Sequence, residues 1–533
     1  VSDSSPMRLP RRFVCFCLLP ALLLGSSCAR LRFFQPDARL SAEPLPAGTD
    51  SVTATAGRHY QQGLVKRLLF GQHYRRVWAT PVRMPVLDLG TAVAGGLRPG
   101  KIGGGFQTTS MTLLGTRNRE FALRSLDKDP FKTLPKAMRE TFLLNIVRDA
   151  TSAGNPYGAF VVPPLAQAAG IRHTSPRLFY VRPDENGLGP ASERFRGKVV
   201  MLEEKLEGEQ LPGSGGGRVD IEESEDMLAA LYTQPGTQID QTTFVRARLL
   251  DIWLGDWDRH EGQWTWEKRA DGPRFSPVPK DRDQVFYRFD DGPLAWLGSR
   301  FVAKFRTFRP RYESIEGYTR NARFIDSRVL HELDWPAYRA ETQRLQQRLT
   351  DSVITRAARR LPREVYAIEG PQLVASLQAR RAALPTAART YYQLLAERVT
   401  VPGTDEDELF EVQRLTDTTT VVSVYSLLDD KKGPLRYRRT FRPAETRQVM
   451  LHGLGGKDVF RLTGSVRRSP RIDIYGGPQE DTVQDSSRVA GLGKKTRFYD
   501  TRRNNVYEPG PETKDKRSHG VASHAFDRDG SGR

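Results

Sequence analysis

At 533 residues, 38% hydrophobic and 27% charged, the chain is long enough for several full-sized cores and too polar for a helical membrane bundle. Its formal charge of +19 favours anionic partners, but the arginines are dispersed and no zinc-finger or RNP pattern occurs, so nucleic acid is not an expected partner. The three cysteines, Cys15, Cys17 and Cys28, all lie near the start, and the eight histidines form no HExxH or HxH pair, which leaves no disulfide framework and no zinc-hydrolase signature.

In chain order, residues 1–28 read as an export segment. Residues 7–12 are basic, with Met7 as the expected start, and residues 13–24 are apolar but too short for an ordinary spanning helix. Leu24-Gly25-Ser26-Ser27-Cys28 resembles a bacterial lipobox, which implies a cell-envelope lipoprotein held to a membrane by lipid on Cys28. Residues 29–60 read as a poorly ordered tether.

Residues 61–212 read as a small β-rich lobe. Val86-Leu87-Asp88-Leu89 is an expected strand that enters a Gly-rich turn containing Gly103, Gly104 and Gly105, and strands follow at residues 110–114 and 120–125. Glycine allows close backbone approach, so such a turn can lay N–H groups over a triphosphate. Arg124 and Lys128 are the candidate phosphate-binding cations, and Glu140, in a helix expected over 134–150, is their candidate carboxylate partner. Residues 159–165 and 177–181 read as further strands, and residues 198–205 as the last strand, with Glu203 near the hinge where a base would sit.

Residues 213–400 read as a helical lobe. It opens with a flexible Ser214-Gly215-Gly216-Gly217 loop and helices at 222–233 and 240–253, the second of which delivers Gly255-Asp256-Trp257-Asp258-Arg259-His260. Gln263 follows Asp258 by five positions, and Asp281 and Asp283 close an expected strand pair. Phosphoryl transfer needs a carboxylate to orient a hydroxyl and side-chain oxygens to hold metals, and these four residues supply that set in order. Trp253, Trp257, Trp264 and Trp266 read as core packing beneath the loop. Residues 340–399 are helical in pattern, with breaks expected at Pro362, Gly370-Pro371 and Pro385.

Residues 401–490 read as a small all-β domain. Leu451-His452-Gly453-Leu454-Gly455-Gly456-Lys457-Asp458 and Tyr475-Gly476-Gly477-Pro478-Gln479-Glu480-Asp481 resemble the turns of calcium-binding β-rolls, which implies Ca2+ there; two copies are few for a roll, so a small domain with Gly-Asp turns is the expectation. Residues 491–533 read as a disordered tail.

The spacing Asp258…Gln263…Asp281 and the phrase Pro279-Lys280-Asp281-Arg282-Asp283-Gln284-Val285-Phe286 resemble the loops of atypical kinases of the CotH, HipA and secretory-pathway types. The resemblance implies an α+β, protein-kinase-like two-lobed fold followed by a small all-β domain. It also implies ATP or another nucleotide with Mg2+ or Mn2+. Asp258 would be catalytic; Gln263, Asp281 and Asp283 would hold metal; Gly103, Gly104, Gly105, Arg124, Lys128, Glu140 and Glu203 would meet the nucleotide. The family pattern usually has Lys near Arg124-Ser125 and Asn at Gln263, so either Arg124 or Lys128 fills the cation's role. The order of GGGFQTTS, FALRSLDKDP, GDWDRHEGQW, PVPKDRDQVF and LHGLGGKDVF is similar to the kinase-like region of outer-membrane-associated lipoproteins of Bacteroidota-type bacteria, often followed by a surface-antigen β-barrel. After residue 490 this chain shows no series of alternating membrane-strand segments. The reading that follows is a lipid-anchored phosphotransferase acting on an envelope protein or glycan. The competing readings are a non-catalytic envelope module and a calcium-binding surface protein.

Overall fold

A computed structural model describes residues 33–103, 109–206, 208–210, 219–269, 272–302, 305–518 and 526–530. The export segment with Cys28, Gly104 and Gly105 of the Gly-rich turn, and the loop at 214–217 lie outside the described residues. The expected tether is part of the fold from Phe33 onward. β1 (Ser51–Ala54) pairs antiparallel with β2 (Val82–Pro85), and α1 (Leu64–Phe70) lies between them in sequence. Ala38, Ala54 and Tyr60 are fully buried, and the Arg39 guanidinium donates to Asp37, to the Tyr180 hydroxyl and to the Glu43 carbonyl. The Pro/Ala/Thr composition suggested a tether, but apolar side chains on alternate residues of β1 and the Phe33–Phe34 pair give this stretch a face to bury.

A five-stranded antiparallel sheet forms the small lobe. Its order is β3 (Arg98–Gly103), β4 (Ser110–Leu114), β5 (Glu120–Ser125), β7 (Val199–Lys205) and β6 (Arg177–Tyr180). Alternation drives it: Met111 and Leu113 on β4 and Phe121 and Leu123 on β5 share one buried cluster with Val200 and Leu202 on β7. The strand entering the Gly-rich turn is β3 itself, not residues 86–89, which make only a single bridge from Val86 to Tyr180. Two other expectations shift. The helix expected over 134–150 is confined to α2 (Phe142–Ala150), because Pro135 and short helical turns occupy the approach. Residues 159–165 are helical rather than extended: this buried apolar run carries no period, and Pro163 and Pro164 suit a helix's first turn.

The second lobe starts with a mixed sheet of order β10 (Gln238–Ile239), β12 (Arg274–Pro279), β11 (Trp264–Arg269), β9 (Val219–Glu223) and β8 (Gly208–Gln210). Helices α3 (Ser224–Thr233), α4 (Gln241–Leu254), α5 (Pro293–Phe301), α6 (Trp335–Arg348) and α7 (Arg363–Ala396) complete it. Trp253, Trp264 and Trp266 are fully buried. The expected breaks at Pro371 and Pro385 do not occur: α7 runs through both as one 34-residue helix. Leu373, Leu377, Leu384, Ala388 and Tyr391 are buried along it, so tertiary packing outweighs the local cost of proline.

The C-terminal region is all β and extends past residue 490. β13 (Arg398–Pro402), β17 (Gln448–His452), β20 (Arg471–Tyr475), β23 (Thr496–Tyr499) and β25 (Thr513–Asp515) form one parallel sheet. β14 (Glu408–Thr416), β18 (Val459–Thr463), β21 (Thr482–Asp485) and β24 (Val506–Glu508) form a second parallel run, flanked by β15 (Thr419–Leu428) and β16 (Lys431–Phe441). The chain therefore winds between two sheets as a roll, with β19 (Ser465–Val466) and β22 (Arg488–Val489) as a short parallel pair, and the expected disordered tail supplies β23 to β25. Leu451, Ile474 and Phe498 stack in register, which places an apolar residue of the tail on the next rung.

The Gly-Asp turns knit the rungs together. The Glu408 N–H donates to Asp458 Oδ1 at 2.9 Å, the Asp458 N–H to Asp481 Oδ1 at 2.9 Å, and the Asp481 N–H to Asn505 Oδ1 at 2.7 Å. Glycine is required beside them, because a Cβ on Gly453 would lie 2.0 Å from Asp458 Oδ2 and 2.4 Å from the Gly476 carbonyl. Burial pushes Asp481 up to about 8 and Glu408 up to about 7, and it raises Asp458 as well. The folded roll thus holds protons that the unfolded chain releases near pH ~4. That contribution is full below the unfolded value and is lost as pH rises through the folded one. His331 and His452, which burial lowers to about 4 and about 3, are neutral in both states above pH ~7 and do not offset it. The urea midpoint of the rung amides, followed by hydrogen exchange, is expected to fall between pH ~6.5 and ~8.5, and Asp481→Asn to flatten that slope.

Candidate active site

The site is built from the end of α4. The Asp240 side chain caps its first turn by accepting from the Thr243 N–H at 2.9 Å, and Gly255, with φ 71°, ends it in the left-handed region. Arg380 of α7 caps the other end. Its guanidinium donates to the carbonyls of Ile252 at 2.7 Å and Trp253 at 2.8 Å, in the last turn, where carbonyls lack a full set of intrahelical partners. The loop bearing Asp256 and Asp258 leaves from this fixed point.

Under that loop Asp251 meets three guanidiniums. Arg248 lies at 2.9 Å, Arg282 at 2.8 Å and Arg259 at 3.4 Å, and all four side chains are almost wholly buried. Arg248 also holds Asp326 at 2.7 Å, while Arg259 donates to the carbonyls of Lys280 and Gln263 at 2.7 and 2.9 Å. Burial pushes the Asp256 carboxyl up to about 7 and lowers the pKa of Arg282. One ionic knot therefore ties α4, the Asp258 loop and the loop after β12.

That second loop carries Asp281, at φ 55°, and Asp283. The Arg124 Nη1 sits 3.0 Å from Asp281 Oδ1 and 3.4 Å from Glu203 Oε2, and the Lys128 ammonium donates to Asp283 Oδ2. Thr174 donates to the other oxygen of Glu203, and Gln284 to Asp283 at 2.9 Å. The two carboxylates are driven apart. Burial and the neighbouring Asp283 raise Asp281; burial also works against charge on Asp283, but Lys128 and Arg124 outweigh it and hold Asp283 below the usual carboxylate range. Beside them a cavity of about 250 Å³ opens between the two sheets, lined by Arg124, Thr174, Glu203, Gln263, Thr265 and Asp281.

Five residues singled out from the sequence thus converge: Arg124, Lys128, Glu203, Asp281 and Asp283. Gln263 lines the same cavity. Asp258 stands on the adjoining loop, where Asn321 Nδ2 donates to its Oδ1 at 2.7 Å. The Trp257 ring beside it packs edge-on against Phe305 at 5.3 Å. Gly103 ends β3 opposite Ser110, at the base of the Gly-rich turn. One expected pairing is corrected. Glu140 is exposed on the turn before α2, and among the described residues no ion pair joins it to Arg124 or Lys128. The carboxylate partner of Arg124 within the small sheet is Glu203, which also lines the cavity. Asn321, Thr174 and the Asp251 cluster were not singled out from the sequence. They carry no motif, and Asn321 lies 63 positions from its partner.

Among the described residues no group of three or more His, Cys, Asp or Glu converges as a metal site. The Asp281 and Asp283 carboxylates and the Gln263 amide, hard oxygen donors of the kind Mg2+ and Mn2+ take, are the groups that would hold a divalent ion here.

No family model matches the chain, and no curated protein matches it. Among solved structures it is similar to the Helicobacter pylori proinflammatory kinase CtkA, at 11% identity over 53% of this chain and 93% of that one, with a TM-score of 0.30. It is similar to HipA of the Shewanella oneidensis MR-1 toxin–antitoxin system, at 10% identity over 66% and 76%, with a TM-score of 0.27. It is also similar to the Golgi casein kinase with Mn/ADP bound, at 11% identity over 55% and 72%, with a TM-score of 0.25. Overlays this loose carry no functional argument, which rests instead on the side chains of the cleft.

Asp251→Ala would leave three buried guanidiniums without their common counter-ion. It is expected to cost about 3–5 kcal/mol in denaturant unfolding, whereas Glu140→Ala, on the exposed turn, is expected to change stability by less than about 0.5 kcal/mol.

Proposed function

We propose that this chain is a kinase-like phosphotransferase that uses ATP or another nucleotide with Mg2+ or Mn2+. The observation that carries the reading is the convergence of two cations of the small lobe, Arg124 on β5 and Lys128 just after it, on two carboxylates of the second lobe, Asp281 and Asp283, beside a cavity. Opposite charges presented from two lobes match what a metal–polyphosphate needs, because the carboxylates suit the ion and the cations suit the phosphate oxygens. When bound, the metal–nucleotide would supply the phosphoryl group and neutralise its charge. The residues of this chain do the rest. Glu203 holds the Arg124 guanidinium on its strand. Asn321 occupies one oxygen of Asp258 and leaves the other to orient an acceptor hydroxyl and accept its proton.

Export, lipid attachment at Cys28 and an envelope protein or glycan as acceptor belong to the same proposal, supported by the sequence of residues 7–28. One observation favours a non-catalytic envelope module: the two cations pair directly with the two carboxylates, as a structural link between the lobes would.

Thermal unfolding of the full chain with saturating ATP and Mn2+ separates the two readings. Ligand at about a hundred times its Kd is expected to add roughly 2.7 kcal/mol of apparent stability, and Asp281→Ala to abolish the gain. The absence of any shift with ATP or GTP, in a folded protein, sinks the phosphotransferase reading. Asn321→Ala is expected to leave the nucleotide shift intact and to lower kcat by about tenfold or more in a phosphoryl-transfer assay.

A further inference from the structure

Two neighbouring helices leave apolar faces uncovered. On α1, Leu64, Val65, Leu68 and Leu69 are 43–70% exposed; on α5, Leu294, Trp296 and Leu297 are 45–51% exposed. Scattered exposed leucines need no explanation, but these lie on helices that touch. Gly71 ends α1 and Gly292 precedes α5, and a Cβ on Gly292 would fall 2.2 Å from the Gly71 nitrogen. The His73 N–H just beyond donates to Asp291 Oδ2 at 2.6 Å and fixes the pair side by side.

Neither helix contains an Asp or Glu; their charged residues are Lys66, which is turned inward to pair with Asp149 at 3.1 Å, Arg67, and Arg300, whose guanidinium lies 5.6 Å from the Trp296 ring centre. Leucines, an exposed tryptophan and the exposed Arg300 beside it match a helix face that lies at the level of lipid headgroups. Chain direction agrees. The described chain begins at Phe33, whose ring lies 5.4 Å from that of His59, five residues before α1 starts. The sequence leading to Phe33 contains the basic and apolar run of residues 7–24. A symmetric contact with a second copy would instead set cations against cations. Among the described residues no helix is long and apolar enough to cross a membrane.

We propose that α1 and α5 form a membrane-contact face that seats the protein on an anionic bilayer, next to where its N-terminal segment enters the fold. The proposal stands independently of the phosphotransferase reading.

The test uses the full chain with phosphatidylglycerol/phosphatidylcholine vesicles whose acyl chains carry bromine, a contact quencher of tryptophan. The wild type is compared with Trp296→Phe and with the double variant Leu68→Glu/Leu297→Glu. All three altered positions are exposed, and circular dichroism confirms folding. Quenching present in the wild type and missing from Trp296→Phe is expected, with vesicle partitioning of the double variant weakened about tenfold or more. Weaker quenching with phosphatidylcholine alone would support the role of the cations. Three outcomes overturn the proposal. Unquenched Trp296 with undiminished partitioning of the double variant would mean that the N-terminal segment binds alone. A dimer seen by light scattering without lipid, and lost in the double variant, would make the face a self-contact. A Trp296 emission already blue-shifted without vesicles and unchanged by them would mean that the N-terminal segment covers it.

Discussion

Asp251 lies in the interior of the second lobe with three guanidiniums around it, and the geometry of the cleft hangs on that contact. A buried charge is costly unless it is paired and bonded on every side. Here the pairing groups come from three places: Arg248 from the same helix, Arg259 from the loop after it, and Arg282 from between Asp281 and Asp283. No one of these segments can move without stranding charge in a dry interior. The two loops that carry the candidate chemistry are therefore fixed relative to each other by electrostatics rather than by a shared strand.

The cleft above inverts that arrangement. Its ion pairs are partly exposed and each joins one lobe to the other, Arg124 to Asp281 and Lys128 to Asp283. Pairs of this kind are worth little individually and are easily exchanged for other partners. A polyanion carrying a divalent cation offers such an exchange, since it presents both signs at once. A bare anion or a bare cation would satisfy one lobe and leave the other unpaired.

The local order of the chain made much of this site legible. Gly255, Asp258, Asp281 and Asp283 follow one another with a spacing that chemistry recognises, and Arg124 and Lys128 sit at the end of an alternating strand. What stayed hidden depends on pairing across distance. Glu203 comes near Arg124 because β7 lies beside β5 with Ala122 opposite Glu203, a register that no spacing reveals. Glu140 looked right by order, yet Pro135 and the turns after it delay the helix and leave Glu140 in solvent. In the roll, polar composition masked structure. Residues after 490 look like a tail until Phe498 is aligned with Ile474 on the preceding rung. The unbroken α7 was obscured in the same way, because proline's local cost is visible in sequence and the buried face that outweighs it is not.

That long helix also bears on how the parts move. At 34 residues α7 spans about 50 Å. Near its middle Arg380 grips the last carbonyls of α4, and near its end Arg389 and Tyr392 hold Glu445 of the β region at 3.0 and 2.9 Å. It is a strut with one clamp on α4 and the other on the roll. Torque applied to the roll by anything attached there would be transmitted to the root of the Asp258 loop, instead of being absorbed by a flexible linker.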